Sequence, residues 1–218
     1  YNLGYFFRLQ LIRKATDSFY GNEIGFISNY NQKKCSTFLK NIGINQIEKL
    51  SSDITSDSLK KANNLFQQIS IPEDILNLEF PFKLPASQFY DYVLKKQKLG
   101  KVNINDENLV YYLAEYIQSI KFAEKLIDDI NPEKIFMSHS ISVQCTPLCW
   151  IAPQNDIEVL TLFGNFGVPR FIKFNKPEKI VLGIDRPMMS DLKKLNSEQN
   201  KKLYTCLLYT SPSPRDSS

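Results

Sequence analysis

Short apolar runs alternate with a helix-like segment between residues 134 and 174, and this alternation constrains the fold more than any other feature. The runs are KIFMSH, IEVLTLF and PRFIKF, and the stretch SVQCTPLCWIAPQND separates the first two. Apolar strands separated by helices are typical of βαβ units, whose parallel sheet is covered by helices on both faces. The pattern therefore predicts an α/β fold with a Rossmann-like parallel sheet.

The first half of the chain is rich in helical patterns. The longest follows Asp106, where apolar residues recur every three or four positions until Asn131-Pro132 ends the pattern. The recurring residues are Leu109, Tyr112, Leu113, Tyr116, Ile120, Ala123 and Ile127. This spacing predicts one long helix whose apolar face joins the core.

Shorter elements precede this helix. NEIGFIS predicts a short strand or turn, and NQKKCSTFLKNIGI predicts a helix closed by Gly43. TSDSLKKANNLFQQIS predicts a helix that starts at a Ser or Asp and ends before Pro72. A further helix is expected to begin near Ser87, whose hydroxyl can cap the first turn. A helix-rich N-terminal part thus precedes the strand-rich part without a long linker.

The C-terminal segment CLLYTSPSPRDSS has no hydrophobic periodicity and is rich in Ser and Pro, a composition typical of disorder. From Cys206 to Asp216 it also resembles, residue for residue, the conceptual translation of an adapter used to prepare sequencing libraries. We therefore interpret residues 206–218 as a non-native, disordered tail. Residues 1–205 are expected to form one N-terminal α/β domain, truncated at both ends.

Charge is spread along the chain rather than concentrated. There are 27 basic and 23 acidic residues, which gives a net charge of +4. The sequence has no basic arm that would follow a phosphate backbone, so no nucleic-acid partner is expected. No stretch approaches the roughly 18 apolar residues that cross a bilayer, and the predicted location is the cytoplasm. The opening YNLGYFFRLQLIRK has amphipathic helical spacing. Packing on the domain and peripheral contact with the inner membrane face both remain open for it.

Ser138 and His139 lie where the first apolar run ends. In an open parallel sheet, ligands bind at the carboxyl ends of strands, because the loops there converge on one crevice. Imidazole titrates near neutral pH, so His139, the only histidine, suits a general base or a contact to a diphosphate or sugar hydroxyl. The alternative is a strand-end histidine satisfied by a backbone carbonyl.

The segment LFGNFGVPRF is the second candidate. Gly164 and Gly167 permit tight backbone geometry, Asn165 offers an amide, and Arg170 offers donors suited to carboxylate or phosphate. The alternative is a loop whose glycines only turn the chain. The segment has neither the dinucleotide-binding nor the phosphate-loop spacing.

Cys145 and Cys149 are four residues apart, and His139 is close in sequence. A closed zinc site needs a fourth ligand, which the sequence does not supply. We therefore expect two buried thiols and no metal site.

Several of these segments together resemble bacterial surface-carbohydrate biosynthesis proteins of the capsule or lipopolysaccharide type. The segments are LPASQFYDYVLKK, the long helix, KIFMSHSISVQCTPLCWIA, IEVLTLFGNFGVPRFIKF and the DRP near the C-terminus. They are similar to the N-terminal half of glycosyltransferases with the two-Rossmann-domain, GT-B-like architecture. Tyr90-Asp91 and His139 match the family's pattern, whereas Ala86-Ser87 replaces its Gly-Asp pair.

The resemblance implies a function in surface polysaccharide biosynthesis, the transfer of a sugar from an activated donor to a glycan acceptor. In such enzymes the C-terminal domain holds the nucleotide-sugar, and the N-terminal domain shapes the acceptor side. This chain is then expected to bind the glycan acceptor, with His139 catalytic and Ser138, Asn165 and Arg170 binding substrate. It is expected to bind no cofactor itself and to be inactive without the donor-binding domain. The alternative function is a non-catalytic glycan-binding or assembly subunit of a polysaccharide-synthesis machine.

Overall fold

The computed structural model describes residues 23–27, 32–50, 53–137, 142–163, 170–174 and 176–177; for residues 162, 163 and 170–172 it describes the backbone only. The amphipathic N-terminal segment, the DRP turn and the C-terminal tail lie outside these ranges. The elements in chain order are β1 (Ile24–Ile27), α1 (Gln32–Asn41), β2 (Gln46–Lys49), α2 (Ser56–Phe66), α3 (Ala86–Gln97), α4 (Leu109–Ile130), β3 (Lys134–Met137), α5 (Cys145–Ile151), β4 (Glu158–Phe163) and β5 (Arg170–Phe174). Short 3-10 turns occupy Pro72–Asn77, Pro81–Lys83 and Ala152–Asn155.

Strands β1 and β2 form a two-stranded parallel sheet, joined by α1. Helix α1 ends as predicted, because Gly43 follows it with a φ of +91°, a conformation that other residues rarely adopt. Gly25 lets β1 approach α1 closely: a Cβ at this position would lie 2.6 Å from the Leu39 side chain. NEIGFIS, predicted to be a short strand or turn, contains the strand β1.

Helix α2 begins at Ser56, in agreement with the predicted start at a Ser or Asp. Thr55 is its N-cap, and its hydroxyl accepts a hydrogen bond from the Ser58 backbone N–H at 3.2 Å. The buried Ser58 and Ala62 are four residues apart, so they lie on the face of α2 that packs along α4. A small face of this kind lets the two helices approach closely.

Helix α3 begins at Ala86, next to the predicted start, but Ser87 is not its cap. Pro85 occupies the N-cap position with φ −62° and ψ 127°, and no side chain caps the first turn. Because proline fixes its own φ and ends the extended segment before it, the helix starts at the next residue. The prediction of Ser87 as the N-cap is therefore wrong.

Helix α4 is the central element of the described fold, and the predicted long helix is confirmed. Six of the seven predicted core residues are buried; Tyr112 is only partly buried. Residues 116–120 are all buried, a continuous run that a helix covered on one side cannot have. Helices α2 and α5 both pack on it. The ring of Tyr116 lies 5.0 Å from that of Phe80 in an edge-on arrangement.

Strands β3, β4 and β5 form the second sheet, in that order. Strands β3 and β4 are parallel and joined through α5, as the alternating pattern predicts, but β4 and β5 are antiparallel. The prediction of an all-parallel sheet is therefore wrong for β5. Its connection explains the difference, since a parallel crossover needs about a dozen residues or more and only residues 164–169 join the two strands.

The second sheet is buried mainly on one face. Ile135, Met137, Val159 and Thr161 are buried, whereas the residues between them are only partly buried. One face of these strands is therefore covered more closely than the other. Lys134 and Lys173 flank Glu158 as ion pairs on the more open face. The fold is mixed α/β, which confirms the predicted class at this level.

Candidate functional site

One edge of the second sheet is where the chain reaches all four predicted site residues. Strand β3 ends at Met137, which pairs with Thr161 in β4, and β4 ends two residues later. In the antiparallel pair, Phe163 at the end of β4 lies opposite Arg170 at the start of β5. Three strand ends therefore meet at one place, and we name the backbone positions Met137, Phe163 and Arg170 the carboxyl edge.

The four predicted site residues lie at or next to these strand ends in the sequence. Ser138 and His139 follow Met137 directly, and Asn165 follows Phe163 within two residues. These three lie outside the described residues. The backbone of Arg170 is in β5, and its side chain is likewise outside the described part.

Helix α5 begins in a turn stabilised by hydroxyl groups, immediately after residues 138–141. The Ser142 hydroxyl accepts a hydrogen bond from the Cys145 backbone N–H at 3.0 Å, and the Thr146 hydroxyl accepts one from the Ser142 backbone N–H at 3.0 Å. These bonds satisfy N–H groups that a helix start would leave without partners. This turn comes directly after residues 138–141 in the sequence, and those residues directly follow β3.

Thr161 is an unexpected feature beside the carboxyl edge. It is 0% exposed, and its hydroxyl has no hydrogen-bond partner among the residues that the structure describes. A buried hydroxyl without a partner costs roughly 1–3 kcal/mol of stability. Sequence reasoning missed both Thr161 and Ser142. The available signals were the hydroxyl inside the apolar run IEVLTLF, and a serine three residues before the first residue of a helix.

The two cysteines of α5 are buried, as predicted. Burial raises the pKa of the Cys145 thiol, against a smaller lowering by its hydrogen bond with Ser142. Burial raises the pKa of Cys149 further, and the nearby Cys145 adds to this. Both sulfurs therefore stay protonated near neutral pH, which is the unreactive form of cysteine. Within the described ranges, no three His, Cys, Asp or Glu side chains are grouped so as to hold a metal ion.

The turn at Phe82 and Lys83, just before α3, is strained and forms hydrogen bonds with the end of α5 and the turn that follows it. Phe82 and Lys83 have φ values of 59° and 54°, a left-handed conformation that costs roughly 1–2 kcal/mol per residue for side chains of this kind. The Phe82 carbonyl accepts hydrogen bonds from the Trp150 indole N–H at 3.0 Å and from the Gln154 amide at 3.3 Å. These contacts hold the end of α5 in place, and α5 in turn positions the turn at Ser142.

A second polar cluster joins α3 and α4. The Tyr92 hydroxyl donates to the Glu115 carboxylate, and the Lys96 ammonium lies 3.3 Å from the same carboxylate. Lys96 also lies over the rings of Tyr92 and Tyr112, at 5.3 and 5.6 Å from their centroids. Burial and then the bond to Glu115 raise the pKa of Tyr92. Each polar group in this cluster already has a partner, so we assign the cluster to helix packing rather than to chemistry.

Comparison of the chain with protein-family models, with curated proteins and with solved structures finds no match. Among the helices of the described segments, none has the length and apolar character needed to cross a membrane. The functional argument therefore depends on the residues at the carboxyl edge and on the resemblance given above.

Proposed function

We propose that this protein acts in bacterial surface polysaccharide biosynthesis, at the acceptor side of a sugar transfer from an activated donor to a glycan. The residues at the carboxyl edge are the main support for this proposal. Residues chosen from the sequence for their chemistry, Ser138, His139, Asn165 and Arg170, belong to segments that begin or end there. The crevice outside strand carboxyl ends is where open α/β sheets bind ligands.

The proposed architecture is one Rossmann-like half of a GT-B-like enzyme. The parallel pair β3 and β4, joined through α5, supports it as a βαβ unit. The antiparallel β5 departs from a fully parallel sheet, a variation that large α/β sheets often carry at an edge. In this architecture the nucleotide-sugar belongs to a second domain, so the part proposed for this chain is acceptor binding, on the cytoplasmic side of the inner membrane.

The proposed chemistry is a displacement at the anomeric carbon of the donor sugar. The acceptor hydroxyl oxygen forms the new glycosidic bond, the bond to the nucleoside diphosphate breaks, and His139 removes the hydroxyl proton as general base. The Asn165 amide and the Arg170 guanidinium suit hydrogen bonds to sugar hydroxyls or to a charged substituent of the acceptor. Ser138 provides a further hydroxyl next to the base.

The test is transfer of sugar to an oligosaccharide acceptor by the protein combined with its donor-binding domain. We expect His139→Ala to lower the turnover number by roughly a hundredfold or more, since positioned acid–base groups contribute that much. Lys33→Ala, on the exposed surface of α1, is the control and should leave turnover unchanged. Equal turnover for His139→Ala and the control would remove the catalytic role. Residues 1–205 alone are expected to transfer no sugar.

A second candidate is a non-catalytic glycan-binding or assembly subunit. It is favoured by the described polar residues next to the carboxyl edge: the Ser142 and Thr146 hydroxyls hold the turn before α5 and Thr161 is buried, so none of them is a general base. Hydroxyls suit binding but do not titrate near neutral pH. This candidate predicts that His139→Ala leaves partner assembly intact and that the protein with its donor-binding domain binds oligosaccharide without transferring sugar.

A further inference from the structure

A basic loop with an exposed leucine follows helix α3. The sequence KKQKLGK spans residues 95–101, and no Asp or Glu occurs between Asp91 and Asp106. Lys95 and Lys96 lie in the last turn of α3, and Lys98 follows in a left-handed conformation with φ 55°. We name residues 95–101 the lysine loop.

Two of the four lysines are not neutralised by an acidic partner. Lys96 pairs with Glu115 at 3.3 Å and Lys101 pairs with Glu73 at 3.0 Å. The ammonium groups of Lys95 and Lys98 make no ion pair with any described residue. The lysine loop therefore presents a local positive charge that the rest of the described surface does not cancel.

The loop has a defined shape. The Gln97 side chain makes two hydrogen bonds with the backbone of Asn103, each at 2.8 Å. Its amide nitrogen donates to the Asn103 carbonyl, and its amide oxygen accepts from the Asn103 N–H. The same Gln97 amide also donates to Asp106 at 3.0 Å. These bonds close the loop at its base and leave Leu99 at the tip, next to Gly100.

Leu99 is 50% exposed, although leucine gains free energy when it leaves water. The ion pair from Lys101 to Glu73 attaches the loop to the segment of Ile71, another large apolar residue that is about half exposed. The loop thus combines uncompensated positive charge with apolar side chains at a tip. Neither feature is needed to hold α3 against α4.

We propose that the lysine loop docks the protein on an anionic lipid surface, with its lysines against the headgroups and Leu99 inserted below them. Exposed lysines beside an exposed leucine suit a flat, deformable surface of anionic headgroups, whereas a peptide partner would need a groove. Single-stranded nucleic acid would need aromatic platforms for its bases, which the loop lacks. The proposal is independent of sugar transfer and concerns a surface other than the carboxyl edge.

The expected strength follows from charge and apolar burial. Each lysine near an anionic membrane contributes about 1 kcal/mol, so removing Lys95 and Lys98 together should lower vesicle partitioning by about 30-fold. Replacing Leu99, whose side chain is already half buried, should lower vesicle partitioning by about fivefold. The attraction is screened by salt, so partitioning should fall between about 0.1 M and about 1 M NaCl.

The test is co-sedimentation of the full 218-residue chain with phosphatidylcholine vesicles, with and without phosphatidylglycerol. The variants are the double substitution Lys95→Gln/Lys98→Gln and the single substitution Leu99→Gln. Their matched controls are Lys33→Gln/Lys34→Gln, two exposed lysines of α1, and Leu59→Gln, a 43% exposed leucine of α2. Circular dichroism of each variant confirms that it is folded.

We expect binding only to the anionic vesicles, reduced in the loop variants and unchanged in the controls. Equal binding to neutral vesicles, or no binding to either kind, would overturn the proposal. An equal loss in loop variants and controls would show non-specific charge attraction and would also overturn it. Unchanged binding in the loop variants would assign the contact to another part of the chain. Loop-dependent binding of a labelled single-stranded oligonucleotide instead of vesicles would assign the surface to nucleic acid.

Discussion

Replacing the buried Thr161 by valine should make the protein more stable. Threonine and valine have nearly the same shape and are both β-branched, so the substitution keeps the side-chain volume and the strand preference of β4. The only chemical change is that a methyl group replaces a hydroxyl. Since this hydroxyl is fully buried and has no hydrogen-bond partner in the described part of the chain, the folded state loses no bond and no longer carries the cost of desolvating the hydroxyl.

The magnitude follows from the desolvation cost of a hydroxyl. That cost is roughly 1–3 kcal/mol, so we expect Thr161→Val to raise the free energy of unfolding by about 1–2 kcal/mol. For a domain of this size each kcal/mol shifts the melting temperature by about 2–4 °C, so Tm should rise by about 2–8 °C. A gain of this size would show that the Thr161 hydroxyl does not stabilise the folded state.

Urea unfolding followed by far-UV circular dichroism measures the change, with thermal melts as a second readout. The matched control is Val159→Thr, two residues earlier on the same buried face and also 0% exposed. It introduces a hydroxyl where none exists, so it should lower the free energy of unfolding by about 1–3 kcal/mol. If Thr161→Val instead destabilises the protein by more than about 0.5 kcal/mol, the hydroxyl has a partner and the reasoning is refuted.

Three further substitutions or treatments test local contacts of α2 and α5. Trp150→Phe should lower the free energy of unfolding by about 2 kcal/mol, because it removes the indole hydrogen bond to Phe82 and leaves a small cavity. Urea unfolding followed by circular dichroism measures this loss, and an unchanged midpoint would contradict it. Thr55→Ala should cost about 1 kcal/mol through loss of the α2 cap, and Thr55→Ser should restore most of it in the same assay; equal losses would exclude capping. Because burial raises the pKa of Cys145 and Cys149, both thiols should resist a maleimide at about pH 8 in the native protein and react with it in urea. Peptide mass spectrometry locates the labelled cysteines, and rapid labelling of either one in the native protein would contradict their burial.

The sequence predicted those elements whose signal is local. The apolar spacing from Leu109 to Ile127 is enough to identify α4, because a helix repeats every 3.6 residues. Gly43 marks the end of α1 because few other residues accept its backbone conformation. The N-cap of α2 could not be chosen from the sequence, since Thr55, Ser56 and Asp57 all suit that position and only the structure shows that Thr55 accepts the bond.

The sheet was predicted less well, because strand direction depends on the connections between strands. The run PRFIKF has the composition of a buried strand in either direction. The short connection of residues 164–169 is a signal that excludes a parallel crossover and was available from the sequence. The orphan hydroxyl of Thr161 was not predictable, since its lack of a partner depends on what surrounds β4 in three dimensions.

Binding of an oligosaccharide at the carboxyl edge tests the central claim most directly. Short oligosaccharides released from capsule and lipopolysaccharide polymers would be titrated into the full chain by ligand-observed NMR, with His139→Ala, Arg170→Ala and the surface control Lys33→Ala in parallel. The account predicts that at least one oligosaccharide binds, that both substitutions at the edge weaken binding at least tenfold, about 1.4 kcal/mol, and that the control does not. Equal binding by all four proteins, or no binding of any oligosaccharide, would contradict it.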